Sequence, residues 1–196
     1  MRRVLAPIGF ALSLASCAVG SSAESRLPPA PAPAATPILA AATTTPVVSS
    51  WPPIPHSARR AHVVRVVDGD TIVLTGIDVG STYANGTPGH RARLIGVDTP
   101  EIYGRTGCFG SQASAFTKRE LAARDVFVDF DVGVVDRYGR ALVYVWKTDG
   151  AFFNGLIARE GFALQLTVPP NVRYADLFGR YVREAREARR GLWSAC

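Results

Sequence analysis

The chain has 196 residues, a formal net charge of +6, three cysteines and three histidines. That length carries one domain of ordinary size, and a modest excess of Lys and Arg is only a weak pointer to polyanions. No Cys/His spacing suits zinc, and His56, His62 and His90 have no Ser or Cys nucleophile to serve; a metal-independent triad hydrolase is therefore excluded, and the histidines read as surface or packing residues.

The chain opens Met1-Arg2-Arg3, followed by an apolar run from Val4 to Leu14 that is too short to span a bilayer. Leu14-Ala15-Ser16-Cys17 resembles the lipobox of bacterial lipoproteins, which makes residues 1–23 a lipoprotein-type signal region and Cys17 the lipidated new N-terminus. Ordinary secretion with cleavage after Ser21-Ser22-Ala23 is the rival reading, and a hydrophobic helix of a cytosolic protein is the third. The expectation is an exported protein, either on the outer face of a bacterial membrane through a lipid anchor or free. Residues 24–58 are rich in Pro, Ala, Thr and Ser and carry no apolar period, so they cannot bury enough surface to offset ordering entropy. They read as a disordered, semi-stiff stalk, with Trp51, Ile54 and His56 at its end touching the domain or nothing. Residues 59–196 remain as the domain. With Cys17 removed from the thiol count, Cys108 and Cys196 are an even pair in an oxidising compartment. A disulfide between them is expected, with two free thiols as the alternative.

Along the domain, Ala61 to Val67 is β-branched and extended, Asp68-Gly69-Asp70 is a turn, and Thr71 to Thr75 is a second strand. Gly76 to Gly89 reads as a loose, exposed hairpin loop. Arg91 to Val97 alternates charged and apolar residues as a half-buried strand does, and Thr99-Pro100 stops it. After a glycine-containing loop from Glu101 to Gly110, Ser111 is placed to cap a helix that buries Ala115, Phe116 and Leu121. Val126 to Asp131 and Arg140 to Trp146 are strands joined through the turn Asp136-Arg137-Tyr138-Gly139, and Phe152 to Arg159 is a short helix. The last helix carries Tyr174, Leu177, Phe178, Tyr181, Val182, Ala185 and Ala188 at helical spacing, with Gly191 as its C-terminal cap. Its arginines read as a solvated face, with Asp176 paired to Arg180 and Arg183 to Glu187. Three strands, a helix, two strands and two helices suit an α+β, mainly β fold: a small five-stranded Greek-key barrel of the oligonucleotide-binding kind.

The chemistry lies in three short stretches: Asp68-Gly69-Asp70-Thr71, Arg93 to Glu101, and Asp136-Arg137-Tyr138-Gly139-Arg140. Each alone is an ordinary turn or strand end. Together, Asp70 at the start of one strand and Asp98 at the end of another can converge in a small barrel. Two carboxylates and the Thr99 carbonyl make an incomplete oxygen cage for calcium, with places left for water and a substrate phosphate. Glu101 then stands where a general base is needed. Arg93 and Arg140 each offer a fork of donors to phosphate oxygens and offset the charge of a five-coordinate transition state.

These motifs resemble those of the staphylococcal (micrococcal) nuclease family from about Ala61 to Trp193, including Gln112-Ala113-Ser114-Ala115-Phe116-Thr117-Lys118, the helix from Asn154 to Gly161, and Gly191-Leu192-Trp193. The resemblance implies an oligonucleotide-binding barrel with three helices. It also implies a monomeric calcium-dependent phosphodiesterase acting on DNA and RNA, with single-stranded or frayed substrate preferred. Water attacks and the 5′ oxygen departs, leaving 3′-phosphate ends. By the same resemblance Asp70, Asp98 and Thr99 match the calcium ligands, and Arg93, Glu101 and Arg140 the catalytic trio. Tyr138 matches a phosphate contact, and Arg137 stands where the best-known member has lysine. Thr167 and Pro169 stand where that member has the two tyrosines that flank a base, and Arg105 lies in a shortened loop. The rival function, a non-catalytic oligonucleotide-binding surface lipoprotein, gives no reason for Arg93, Glu101 and Arg140 to accompany the carboxylates.

Overall fold

Alternating and β-branched stretches dictate most of the strands. In the computed structural model, which describes residues 51–82, 88–104 and 107–196, the elements are β1 (Arg59–Val66), β2 (Thr71–Thr75), β3 (His90–Leu94), β4 (Gly96–Asp98), α1 (Gly110–Leu121), β5 (Asp125–Asp129), β6 (Ala141–Lys147), α2 (Phe153–Arg159), β7 (Leu164–Leu166), α3 (Ala175–Glu187) and α4 (Leu192–Ala195). Five of the strands close a barrel in the order β1-β2-β3-β6-β5, with β5 returning to β1. Every neighbouring pair is antiparallel except β3 with β6. This is the expected five-stranded oligonucleotide-binding barrel with three principal helices, α1, α2 and α3. Val63, Ile72, Leu74, Ala92, Val128, Val143 and Val145 are wholly buried in the core, and Phe152, Phe153 and Phe178 extend it towards the helices. The signal region with Cys17, and Arg105, lie outside the described residues.

The stretch from Arg91 to Val97 is two strands rather than one. Gly96 has a left-handed φ of 84°, and a Cβ there would meet the Phe178 ring of α3 at 2.0 Å. The chain therefore turns after Leu94, and β4 leaves the barrel to pair with β7, a strand the hydrophobic pattern did not reveal because its three residues are all exposed. Asn154, fully buried at the start of α2, fixes the bend. Its Nδ2 donates to the carbonyls of Ile95 at 2.9 Å and Val143 at 3.1 Å, and its Oδ1 accepts from Val145 N–H at 2.9 Å.

Other expectations shift for identifiable reasons. The packed body reaches back into the expected stalk: the buried indole of Trp146 needs an acceptor and donates to the Pro52 carbonyl at 2.9 Å, while Trp51 meets Tyr181 edge-on at 5.2 Å and Ile54 packs on the core. Ser111 is not the cap of α1; Phe109, in the left-handed conformation, precedes the helix, whose buried face is Ala113, Phe116, Thr117 and Leu121, with Ala115 exposed. Gly191 does not cap α3. That helix ends in a Schellman motif at Arg189, φ 50°, where Arg190 N–H reaches the Ala185 carbonyl at 2.8 Å and Arg189 N–H reaches that of Arg186 at 3.1 Å. Ala188 is exposed, and among the described residues neither Asp176–Arg180 nor Arg183–Glu187 forms an ion pair; Glu184 pairs instead with Arg159 of α2 at 3.3 Å. The Gly76–Gly89 loop is not loose in its first half, since Ile77 is buried and Ser81 N–H donates to the Gly139 carbonyl at 2.6 Å. His90 packs there, on the Gly80 carbonyl at 2.8 Å; His56 is exposed, and His62 is exposed and paired with Asp125.

Candidate active site

Barrel closure gathers the three sequence stretches into one open cleft of about 880 Å³, lined among others by Arg93, Asp98, Glu101, Arg137, Tyr138 and Arg140. Asp70 lies beneath its deep end, 5% exposed. Pairing of β2 with β3 sets Thr71 opposite Arg93, and Leu94 N–H donates to the Asp70 carbonyl at 2.9 Å, so the start of β2 and the end of β3 are held side by side. Asp70 Oδ2 accepts from both the backbone N–H of Thr99, at 2.7 Å, and its hydroxyl, at 3.0 Å, and Oδ1 accepts from the Thr71 hydroxyl at 3.2 Å. Asp70 and Thr99 are thus joined directly, through the N–H and hydroxyl of Thr99.

Arg93 locks this end. Its Nη2 stands 2.6 Å from Asp98 Oδ1 and 3.1 Å from Asp70 Oδ2, and its Nη1 donates to the carbonyls of Val97 at 2.7 Å and Leu94 at 3.1 Å. Burial raises the Asp98 carboxyl above its ordinary range, with Arg93 opposing and Asp70 adding to the rise. Asp68 is pushed up to about 6 by burial and then by the Asp70 charge. Crowded carboxylates of this kind favour a cation between them. Arg93 already supplies one, and two carboxylates with a main-chain carbonyl form a hard-oxygen set that suits calcium when water and substrate complete the shell. Among the described residues no trio of His, Cys, Asp or Glu side chains is gathered as a full cage. The side chains alone therefore do not complete a cage, and an ion held here would take its remaining ligands from water or substrate.

Glu101 lies on the cleft rim, exposed. Its backbone is held from behind: Gly107 N–H donates to the Glu101 carbonyl at 2.9 Å, and a Cβ on Gly110 would stand 2.5 Å from the same oxygen. Only glycine lets the start of α1 approach so closely. The disulfide between Cys108 and Cys196, Cα atoms 6.0 Å apart, joins this turn to the C-terminus. From α1, the Thr117 hydroxyl reaches the Gly69 carbonyl at 2.6 Å and braces the Asp68–Asp70 turn.

The opposite wall is the turn before β6. Asp136 organises it, its Oδ1 accepting from the backbone N–H groups of Tyr138 at 2.8 Å and Arg140 at 2.9 Å, and its Oδ2 from Arg140 Nε at 2.7 Å. Burial works to raise the Asp136 carboxyl, but these bonds and the Arg140 charge outweigh it, and the group lies below its ordinary range. The Tyr138 ring is exposed and flanked by two guanidinium groups, that of Arg137 at 4.7 Å and that of Arg140 at 5.3 Å; Arg137 also donates to the Tyr138 hydroxyl at 2.6 Å. Sequence reasoning gave Asp136 no role, although its spacing four residues before Arg140 was the available signal. Arg91, also in the cleft lining, was missed; it repeats Arg93 at strand spacing. Of the two positions flagged for a missing aromatic, Pro169 lines the cleft, with Leu166 and Val168. Thr167 does not; its hydroxyl accepts from Gln165 Nε2 at 3.0 Å.

Comparison with known proteins agrees with this geometry. The family described as staphylococcal nuclease homologue matches residues 91–195. A thermonuclease of Staphylococcus hyicus is 37% identical over 135 residues, covering 67% of this chain and 74% of that protein. A thermonuclease of Staphylococcus intermedius is 39% identical over 136 residues, with coverage of 67% and 74%. An uncharacterized endonuclease of Escherichia coli O157:H7 is 31% identical over 150 residues, covering 75% of this chain and 84% of that protein. With its closed barrel and basic-acidic cleft, the chain belongs to the staphylococcal nuclease family and is a nuclease, a phosphodiesterase whose substrate is nucleic acid.

Proposed function

We propose that this nuclease is exported, depends on calcium, acts as a monomer, and hydrolyses both DNA and RNA, single-stranded or frayed, to products with 3′-phosphate ends. The observation that carries the reading is that Glu101, Arg93 and Arg140 line one cleft whose deep end holds Asp70 and Asp98. Asp70, Asp98 and the Thr99 carbonyl would hold the ion, which supplies Lewis-acid polarisation of a phosphate oxygen when bound. Glu101 accepts a proton from the attacking water as its oxygen bonds to phosphorus. Arg93 and Arg140 donate to the non-bridging oxygens, where charge grows in the transition state. The bond from phosphorus to the 5′ oxygen breaks, and that oxygen takes a proton from solvent. Arg137 and Tyr138 hold the nucleotide's phosphate at the cleft mouth.

Export is supported by the lipobox-like Leu14-Ala15-Ser16-Cys17 and by the bond between Cys108 and Cys196, since structural disulfides persist in oxidising compartments. Digestion of single-stranded DNA and of RNA, with calcium and with chelator, tests the chemistry, and end-group analysis reads which oxygen leaves. Cleavage that survives chelation, or that survives Glu101→Ala and Arg140→Ala together, contradicts it. Palmitate labelling tests the anchor, with loss of label expected in Cys17→Ala.

A further inference from the structure

The pattern His90-Arg91-Ala92-Arg93-Leu94 puts Arg91 and Arg93 on one face of β3, with Ala92 and Leu94 buried in the barrel. The cleft arginines differ in what they are bound to. Arg93 is held by Asp70, Asp98 and two carbonyls, Arg140 by Asp136, and Arg137 by the Tyr138 hydroxyl. Arg91 lines the same cleft and forms no ion pair among the described residues, and its Nε is buried without a hydrogen-bond partner. A buried donor left unsatisfied is costly and calls for an explanation, and the half-buried guanidinium that carries it faces the cleft where substrate arrives.

Its position indicates the partner. The parallel register sets Ala92 beside Ala141, so Arg91 and Arg140 each precede a paired residue at the same end of the two strands, and both line the cleft. On the other side, Arg91 N–H donates to the Ser81 carbonyl at 3.2 Å, and Ser81 N–H donates to the Gly139 carbonyl. The carboxylate at this corner, Asp136, is bonded to Arg140, and none is bonded to Arg91 among the described residues, in contrast to Arg93 at the deep end with Asp70 and Asp98. Residues two apart on a strand are separated by roughly 6.6 Å, comparable with the spacing of successive phosphates along an extended single strand.

We propose that Arg91 forms a second phosphate subsite, binding the phosphate next to the one that Arg93 and Arg140 hold for cleavage. The guanidinium fork matches phosphate oxygens geometrically and carries a fixed charge. The ligand class is a single-stranded oligonucleotide with at least two consecutive phosphates. Arg91 binds and does not take part in bond breaking, so it sets affinity and minimum substrate length. The inference rests on the cleft being the site of phosphodiester hydrolysis.

The test is anisotropy binding in chelator, so that nothing is cut, with two labelled probes: a dinucleoside monophosphate and a trinucleoside diphosphate. Arg91→Ala is expected to weaken the two-phosphate probe about tenfold while leaving the one-phosphate probe within about twofold. On a longer single strand, the slope of log affinity against log salt is expected to fall by about 0.7. Arg91→Lys keeps that slope because it keeps the charge, and it guards against a folding defect in the alanine variant. In cleavage, KM rises with kcat unchanged. Equal weakening of both probes, no weakening of either, or loss of kcat at constant KM overturns the subsite. Cleavage that ignores chelator would instead overturn the calcium chemistry and leave this binding comparison standing.

Discussion

Arg93 and Arg140 face one cleft, yet the molecule holds them by opposite means. Arg93 is 9% exposed and interlocks with two carboxylates and two carbonyls at the heart of the β2–β3–β4 junction. Arg140 projects from a turn, anchored by Asp136 and laid against the exposed Tyr138 ring. The barrel end of the cleft is preorganised because its charges are also fold contacts. The turn end is supported locally and can be altered without disturbing the core.

The largest expected effect breaks the barrel end. Arg93→Ala leaves Asp70 buried without its cation, and removal of one partner of a buried pair costs about 3–5 kcal/mol. Activity and stability should fall together, measured as cleavage rate and urea midpoint. Arg140→Ala should lower kcat by about 10²–10³, with a urea midpoint that falls far less than in Arg93→Ala. Equal loss of midpoint in both variants would show that the contrast between the two ends is false.

Next comes the tether behind Glu101. The bond between Cys108 and Cys196 closes a long loop, its ends 88 positions apart in sequence. Cys108→Ser with Cys196→Ser should therefore cost about 2–4 kcal/mol by freeing the unfolded chain. It should also lower kcat more than it raises KM, because the Gly107–Gly110 turn that braces the Glu101 carbonyl contains Cys108. Loss of stability with kcat intact would show that the tether serves the fold alone.

The same two ends differ in how far the sequence reveals them. Asp70, Arg93 and Asp98 sit at strand boundaries marked by alternation, by an Asp-Gly turn and by Thr-Pro, so their convergence follows from strand order in a small barrel. The bend at Gly96 depends on the Phe178 ring, 82 residues later in the chain, and no local pattern reports a contact of that kind. Strand β7 is defined by its pairing with β4, a contact across some 68 residues of chain. The seat of Trp51 on Tyr181, and of Pro52 on Trp146, is likewise a tertiary fact hidden in a Pro-rich stretch. Arg91 was legible in principle, being two residues before Arg93, but strand alternation by itself marks it as an ordinary solvated position.

A smaller effect sharpens the turn end. Leu166, Val168 and Pro169 give the cleft an apolar wall, and an aromatic platform adds roughly 1–3 kcal/mol per stacked base. Pro169→Tyr should lower KM for single-stranded DNA by about fivefold or more while kcat stays constant. An unchanged KM would mean that bases do not pass that wall.

The smallest effect concerns the anchor of Arg140. The Asp136 carboxyl is held below its ordinary value of 3.8 in the folded protein, chiefly against burial and by bonds from Arg140 and Tyr138. The unfolded chain thus takes up a proton before the folded one does as pH falls. The stabilisation from Asp136 is fully present above pH 3.8 and is lost as pH drops through the depressed value. Asp136→Asn should be less stable than wild type by under about 1 kcal/mol at neutral pH, with the gap closing at lower pH in parallel urea titrations. Its kcat should fall more than so small a stability change explains, because the released guanidinium no longer has a fixed direction. A stability gap that persists well below pH 3.8 would mean that Asp136 acts through shape rather than charge.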